Sequence, residues 1–372
     1  MRRMVGALMT GTLVAGALVA GATAAAMIAA PAPAAADGGG GGEPLQGKLD
    51  NVVAASAVGG LAEVRDEHRV WRGTSGVAEV GRSASVPANG RFRAGSITKT
   101  FVATVVLQLV DEGAVRLDDS VEKWLPGVIP NGEGITVRHL LNHTSGLYDF
   151  KDTLRLPDIV ANRWKTWTAD EVIRRAVANP PTSTTPGRIF DYSNTNYTVL
   201  GEIITAATGA SYGDEVERRI VRPLGLHGTE MPGTSPHISG PHPHGYLPTA
   251  EGLLDFTEMN PSLFGAGGEL ISTTRDLNDF FSALLTGQLL SPRLLAEMKQ
   301  PAVEGRDYGL GLAWRDTECG VRVYGNDGDS LTYQSWAFST PDASHQVSVV
   351  LTPNFKADSD DYIGNFLDEA IC

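Results

Sequence analysis

The sequence predicts an α/β fold assembled from its two ends, with an all-α lobe inserted between them (α/β lobe 45–116 and 286–372, helical lobe 117–285). Strand-like runs stand early, at 60–65 and 69–80, and return only late, at 309–314, 320–324, 335–338 and 346–351. Between them the apolar spacing is helical, punctuated by Pro126, Pro157, Pro180-Pro181, Pro186 and Pro223, with no convincing strand. An amphipathic helix over 361–371 closes the chain. A cleft between two such lobes is the usual place for a site.

Taken in order, residues 1–36 read as an export signal. Arg2 and Arg3 supply the positive start, an apolar Ala/Gly-rich run follows, and Ala34-Ala35-Ala36 offers a small-residue cleavage site. A retained anchor helix is the alternative. Residues 37–44 read as a flexible Gly-rich linker. Leu45, Leu49, Val52 and Val53 give helical spacing over 45–57. Arg91-Phe92-Arg93 is a short extended approach to a helix over 96–110. Phe101, Val102, Val105, Val106 and Leu109 cover most of that helix, so it is read as buried.

The formal net charge of −13 over 372 residues falls further once Arg2 and Arg3 leave with an acid-free leader. Such a chain is a poor partner for nucleic acid or for an anionic membrane. Cys319 and Cys372 are the two cysteines. In an oxidising compartment they read as one disulfide pinning the chain end, with two free thiols as the alternative. The mature protein is therefore read as secreted, with no membrane association after signal cleavage, and as a monomer.

The chemistry centres on Ser96 and Lys99, which stand three apart at the start of the buried helix, so that hydroxyl and amine share a face. The positive end of a helix favours charge developing on a serine there. The spacing alone is weak, since about one or two such pairs arise by chance in a chain of this size. Ser120-Val121-Glu122-Lys123 is a second copy, and it reads as a helix cap. A second element, Tyr192-Ser193-Asn194, follows the turn Pro186-Gly187. In extended backbone Tyr192 and Asn194 point the same way, one able to move a proton and the other to hold a substrate amide. A third, Asn326-Asp327-Gly328-Asp329, lies on a late strand placed to form the cleft wall.

In that order the three elements resemble the serine β-lactamase and penicillin-binding superfamily, whose signature is Ser-x-x-Lys, Tyr-x-Asn and a Lys- or His-Thr-Gly strand. The likeness extends to Ile135-Thr136-Val137-Arg138-His139-Leu140-Leu141-Asn142-His143-Thr144-Ser145-Gly146-Leu147, to Gly265-Ala266-Gly267-Gly268-Glu269-Leu270-Ile271-Ser272-Thr273-Thr274 and to Tyr308-Gly309-Leu310-Gly311-Leu312. These runs are typical of the branch with class C β-lactamases and secreted actinobacterial D-alanyl-D-alanine carboxypeptidases. The resemblance implies one hydrolase domain over 45–372, with an antiparallel sheet flanked by helices and the helical lobe inserted. It implies acyl transfer on Ser96, with Lys99 and Tyr192 managing the proton, and an oxyanion held by the backbone N–H groups of Ser96 and Asp329. The implied substrates are small peptides, amides, esters or β-lactams, with cell-wall peptidoglycan as a candidate partner. No metal and no cofactor is implied. His139 and His143 are read as scaffold, and His237, His242 and His244 as an ordinary loop.

The third element departs from the pattern. The resemblance implies substrate contacts from Asn326, Asp327, Gly328 and Asp329, yet Asn326 stands where the superfamily has Lys or His, and Asp327 where it has Thr. In the carboxypeptidases, positions matching Asp327 and Asp329 help bind a terminal carboxylate, assisted by an arginine where this chain has Ala313. Two like charges about 4 Å apart at an effective dielectric near 20 repel by roughly 4 kcal/mol before screening, and about 1.4 kcal/mol is tenfold in binding. The expected substrates are thus neutral or amine-bearing esters, amides or D-amino-acid derivatives. Arg315, on the same strand face as Ala313, is the one rescue for a carboxylate. Two other readings stand beside a hydrolase of the β-lactamase and D-alanyl-D-alanine carboxypeptidase type acting on a D-amino-acid peptide, amide or ester: an esterase or D-aminopeptidase-like enzyme disfavouring free carboxylates, and a non-hydrolytic penicillin-binding sensor.

Overall fold

The computed structural model describes residues 42–372, so the export signal and most of the linker lie outside the described residues. Gly42, Glu43 and Pro44, read as linker, open the first helix, Gly42–Ser56. Pro44 stands within its first turn, where a missing N–H costs nothing.

Among the described residues ten strands follow: β1 (Ala57–Arg65), β2 (Val70–Gly76), β3 (Phe92–Arg93), β4 (Tyr246–Thr249), β5 (Gly252–Asp255), β6 (Ile271–Ser272), β7 (Ala313–Asp316), β8 (Arg322–Asp329), β9 (Gln334–Ser339) and β10 (Gln346–Pro353). Six form one antiparallel sheet in the order β2-β1-β10-β9-β8-β7, uniting the two ends of the chain as the sequence predicts. Every residue of β10 is buried, because helices cover both faces. Val347, Val349 and Leu351 point into a layer made by the helices Gly42–Ser56 and Asp360–Ile371, through Leu49, Val53, Phe366 and Leu367. Val350 points the other way, into the larger core around Phe101 and Phe280, whose rings stack at 3.6 Å. Period-two alternation thus feeds two cores from one strand. Cys319 is joined to Cys372, tying the end of the last helix to the β7–β8 turn.

The stretch 117–285 holds three strands that the pattern does not show. β4 and β5 form a hairpin carrying Pro248 and Asp255, residues that mask a strand signal. β6 is two residues long and exists only because it pairs with β3. The helix Thr274–Leu285, assigned by pattern to the helical lobe, packs on β1, β9 and β10. There Asn278 ties the sheet face together, accepting from Ser348 Oγ at 2.7 Å and donating to the Glu63 carbonyl. The strand expected over 309–314 begins only at Ala313.

Candidate active site

The β3–β6 pair delivers the chain to Ser96. Arg93, fully buried, anchors it by donating from Nη2 to the carbonyls of Pro236, Thr257 and Met259. Gly95 then adopts φ +55°, and a Cβ there would stand 2.7 Å from the Asp329 backbone nitrogen. At Gly328 a Cβ would stand 2.0 Å from the Ala94 carbonyl oxygen. Both glycines are needed for the end of β8 to lie against the Gly95–Ile97 turn. Ser96 sits in that single 3-10 turn, and the α-helix proper, Thr98–Asp111, begins two residues later. The Thr98 hydroxyl donates to Gly95 O at 2.6 Å and accepts from Leu270 N at 3.0 Å, locking the turn to the segment before β6.

Four of the side chains singled out from sequence converge here: Ser96, Lys99, Tyr192 and Asn194. Ser96 Oγ lies 3.0 Å from Lys99 Nζ and 2.8 Å from the Tyr192 hydroxyl. Lys99 Nζ also lies 2.8 Å from Asn194 Oδ1 and 2.6 Å from the Gly267 carbonyl. The last two atoms can only accept. A neutral amine fits this set: its two hydrogens go to Asn194 and Gly267, leaving its lone pair for the Ser96 hydroxyl proton. Burial drives the pKa of Lys99 down to about 7, against the opposing pull of Asp149 and Asp327. Burial also raises Tyr192 well above its ordinary value, so its phenol stays protonated and donates to Ser96. Lysine is therefore the group able to accept a proton near neutrality, and tyrosine the one able to give one.

Several contributors escape a reading of the sequence. Gly267 offers its carbonyl from a glycine run that advertises a turn, not a proton acceptor. Asp149 accepts from Asn194 Nδ2 at 2.8 Å, so Asn194 bridges Lys99 and a carboxylate. Asn194 is thus already committed to the protein through both ends of its amide. The second Ser-x-x-Lys copy is a cap: Lys123 N donates to Ser120 Oγ at 3.3 Å, and Lys123 Nζ turns to Asp119 at 2.8 Å.

On the opposite wall Asn326 is buried, and its Nδ2 donates to Thr100 Oγ1 at 3.2 Å. Its side chain faces the site helix and braces the strand, which departs from the substrate contact expected of it. Asp327 is half-buried and Asp329 exposed, one Asp329 carboxylate oxygen accepting from Leu331 N at 2.8 Å. Arg315 pairs with Asp368 of the last helix at 3.0 Å, so it is committed away from the cleft. His139 accepts from Thr136 N within a helix cap, His237 pairs with Glu258 and His244 with Asp255. Among the described residues no group of three or more His, Cys, Asp or Glu side chains could hold a metal ion, and no helix is long and apolar enough to cross a membrane.

Comparison with known proteins gives a family and several similar proteins. Residues 45–369 match the family described as Beta-lactamase. Penicillin-binding protein 4 of Amycolatopsis lactamdurans is 32% identical over 301 residues, covering 75% of this chain and 76% of that protein. A D-stereospecific amidohydrolase from Streptomyces sp. superposes with a TM-score of 0.80 at 39% identity, covering 87% of this chain and 97% of that one. The D-amino acid amidase of Ochrobactrum anthropi SV3, solved with L-phenylalanine amide, superposes with a TM-score of 0.77 at 28% identity, covering 89% and 98%.

Proposed function

The chain belongs to the β-lactamase family of serine hydrolases, and from that premise we propose that it hydrolyses amides and esters of D-amino acids carrying a free α-amine, through an acyl-enzyme on Ser96. The observation that carries the substrate reading is the acidic wall. Asp327 and Asp329 stand on β8 where carboxypeptidases receive a carboxylate, Ala313 supplies no charge, and Arg315 is held by Asp368. Asp149 adds a carboxylate beyond Asn194. Such a site repels a terminal carboxylate and attracts an ammonium. The likeness to a D-stereospecific amidohydrolase and a D-amino acid amidase supports the same substrate class.

In this scheme Lys99, as the neutral amine, takes the hydroxyl proton while Ser96 Oγ attacks the substrate carbonyl. The Ser96 and Asp329 backbone N–H groups receive the oxyanion, a role supported by the contact of Asp329 with Gly95. As the C–N or C–O bond breaks, Tyr192 gives its proton to the leaving group and is resupplied by the Lys99 ammonium. Water then attacks the acyl carbonyl, its proton returning through the same pair to Ser96. An exported location fits the sequence of residues 1–36 and the Cys319–Cys372 pairing.

A substrate panel on the mature chain tests the reading: D- and L-phenylalanine amide, a D-alanine p-nitrophenyl ester, and a peptide ending in D-Ala-D-Ala beside its terminal amide. Turnover should favour the amine-bearing D-amides and esters, and vanish with Ser96→Ala. A clear preference for the free-acid peptide would overturn the substrate class. Labelling by a fluorophosphonate that survives Ser96→Ala would remove Ser96 from the chemistry.

A further inference from the structure

Under the Tyr192 ring lies His143, a side chain that the proton-transfer scheme does not use. It is fully buried and stacks on Tyr192 with centroids 4.2 Å apart and planes at 26°. Phe190, Tyr197 and Tyr308 surround it, with centroids 5.8, 5.4 and 5.2 Å away. Its contacts run along the whole proton-carrying loop. The His143 carbonyl accepts from Asp191 N at 2.8 Å, and its Nδ1 accepts from Ser193 N at 3.2 Å. Asn196 Nδ2 lies 3.1 Å from the same ring nitrogen. Residues on either side of Tyr192 are thus hydrogen-bonded to His143, and Tyr192 itself rests on the ring.

A backbone amide can only donate, so Nδ1 carries no hydrogen and the ring proton belongs on Nε2. That Nε2 is buried with no hydrogen-bond partner. A residue present only to fill space would be a phenylalanine or leucine, which leaves no orphaned donor in the core. Histidine is the side chain that combines a flat ring with an acceptor at the Nδ1 position.

We propose that His143 is the positioning residue for Tyr192: a neutral, Nε2-protonated ring that stacks on the phenol, holds the Ser193 amide and so keeps the Tyr192 hydroxyl on Ser96. The proposal rests on the reading of Ser96 as nucleophile and Tyr192 as proton carrier. The ionisable groups facing His143 are Lys99 from the site helix and the phenols of Tyr192, Tyr197 and Tyr308. A second proton on the ring would set N–H against the Ser193 N–H and place a cation near Lys99. Burial and Lys99 both hold the ring neutral.

Two measurements test it. In His143→Phe the ring remains but the acceptor is gone, so the Tyr192 loop should relax while the substrate pocket stays. The expected result is a kcat lower by about 10- to 100-fold with KM within about 3-fold, in protein whose circular dichroism matches the wild type. A folded His143→Phe with wild-type kcat, or one in which KM alone moves, would overturn the proposal. On the unaltered protein, nitrogen NMR should show His143 as the Nε2–H tautomer, with no titration from about pH 5 to about pH 9. An Nδ1–H tautomer, or a titration in that window, would overturn it even if the variant failed to fold. Activity surviving in Ser96→Ala would instead defeat the nucleophile reading, which the tautomer measurement does not touch.

Discussion

Replacing Asp149 with Asn should move the acid limb of the pH–activity profile downward. The substitution keeps one oxygen, for Asn194 Nδ2, sets an amide against Lys151 N, which uses the other carboxylate oxygen, and removes one negative charge. Two hydrogen bonds of 2.8 Å, with the Asn194 amide between them, separate that charge from Lys99 Nζ, a span of roughly 7 Å. At an effective dielectric of about 20 the attraction is about 2.4 kcal/mol, or about 1.7 pK units. Water in the cleft screens part of it, leaving about half to one unit. Asp149 opposes the burial that pulls Lys99 down to about 7. Its removal lets that pKa fall further, so the neutral, base-competent amine persists to lower pH. The assay is kcat/KM for a D-amino-acid amide from about pH 5 to about pH 9, where the limb reports the free enzyme. A limb that stays in place or moves upward would refute the argument that Lys99 is the base and feels Asp149 through Asn194.

Four further outcomes follow from the same geometry. Lys99→Met abolishes turnover, and its stability relative to the wild type falls as pH rises. The wild-type ammonium is penalised below the folded pKa of about 7, and the penalty, of order 5 kcal/mol, is relieved progressively up to the ordinary 10.5; denaturant titrations across that window read the slope. Asp327→Asn should raise kcat/KM for a carboxylate-terminated peptide relative to its amide by roughly tenfold, the effect of about 1.4 kcal/mol, measured by competition between the two. Gly95→Ala forces a side chain into positive φ and onto the Asp329 backbone, and should lower kcat by at least about a hundredfold through the loss of one oxyanion donor. Cys319→Ala with Cys372→Ala opens a loop spanning 53 positions and should cost about 4 kcal/mol in the chain-entropy account, read by urea unfolding with activity retained below the midpoint.

The sequence by itself determined the parts of this protein that rest on local pattern. Strand-like runs at 60–65 and 346–351 marked the strands that now pair as β1 and β10, and the apolar surface of 96–110 marked the buried helix, which begins two residues later than expected, at Thr98. Spacing placed Lys99 beside Ser96, because a helical turn fixes that distance whatever surrounds it. Tertiary structure decided the rest. β6 has no strand signal because two residues carry none; it exists as the partner of β3, 180 positions earlier at the Phe92–Ser272 pair. Arg315, a free helper on paper, is committed to Asp368 by the packing of the last helix on the sheet. Lys99 loses its ordinary basicity because it is buried where Asn194 and the Gly267 carbonyl, from two distant segments, take its hydrogens. A pattern within one window records which face a side chain takes. Desolvation and the identity of the partner are sums over segments the window does not contain, so only the folded chain sets them.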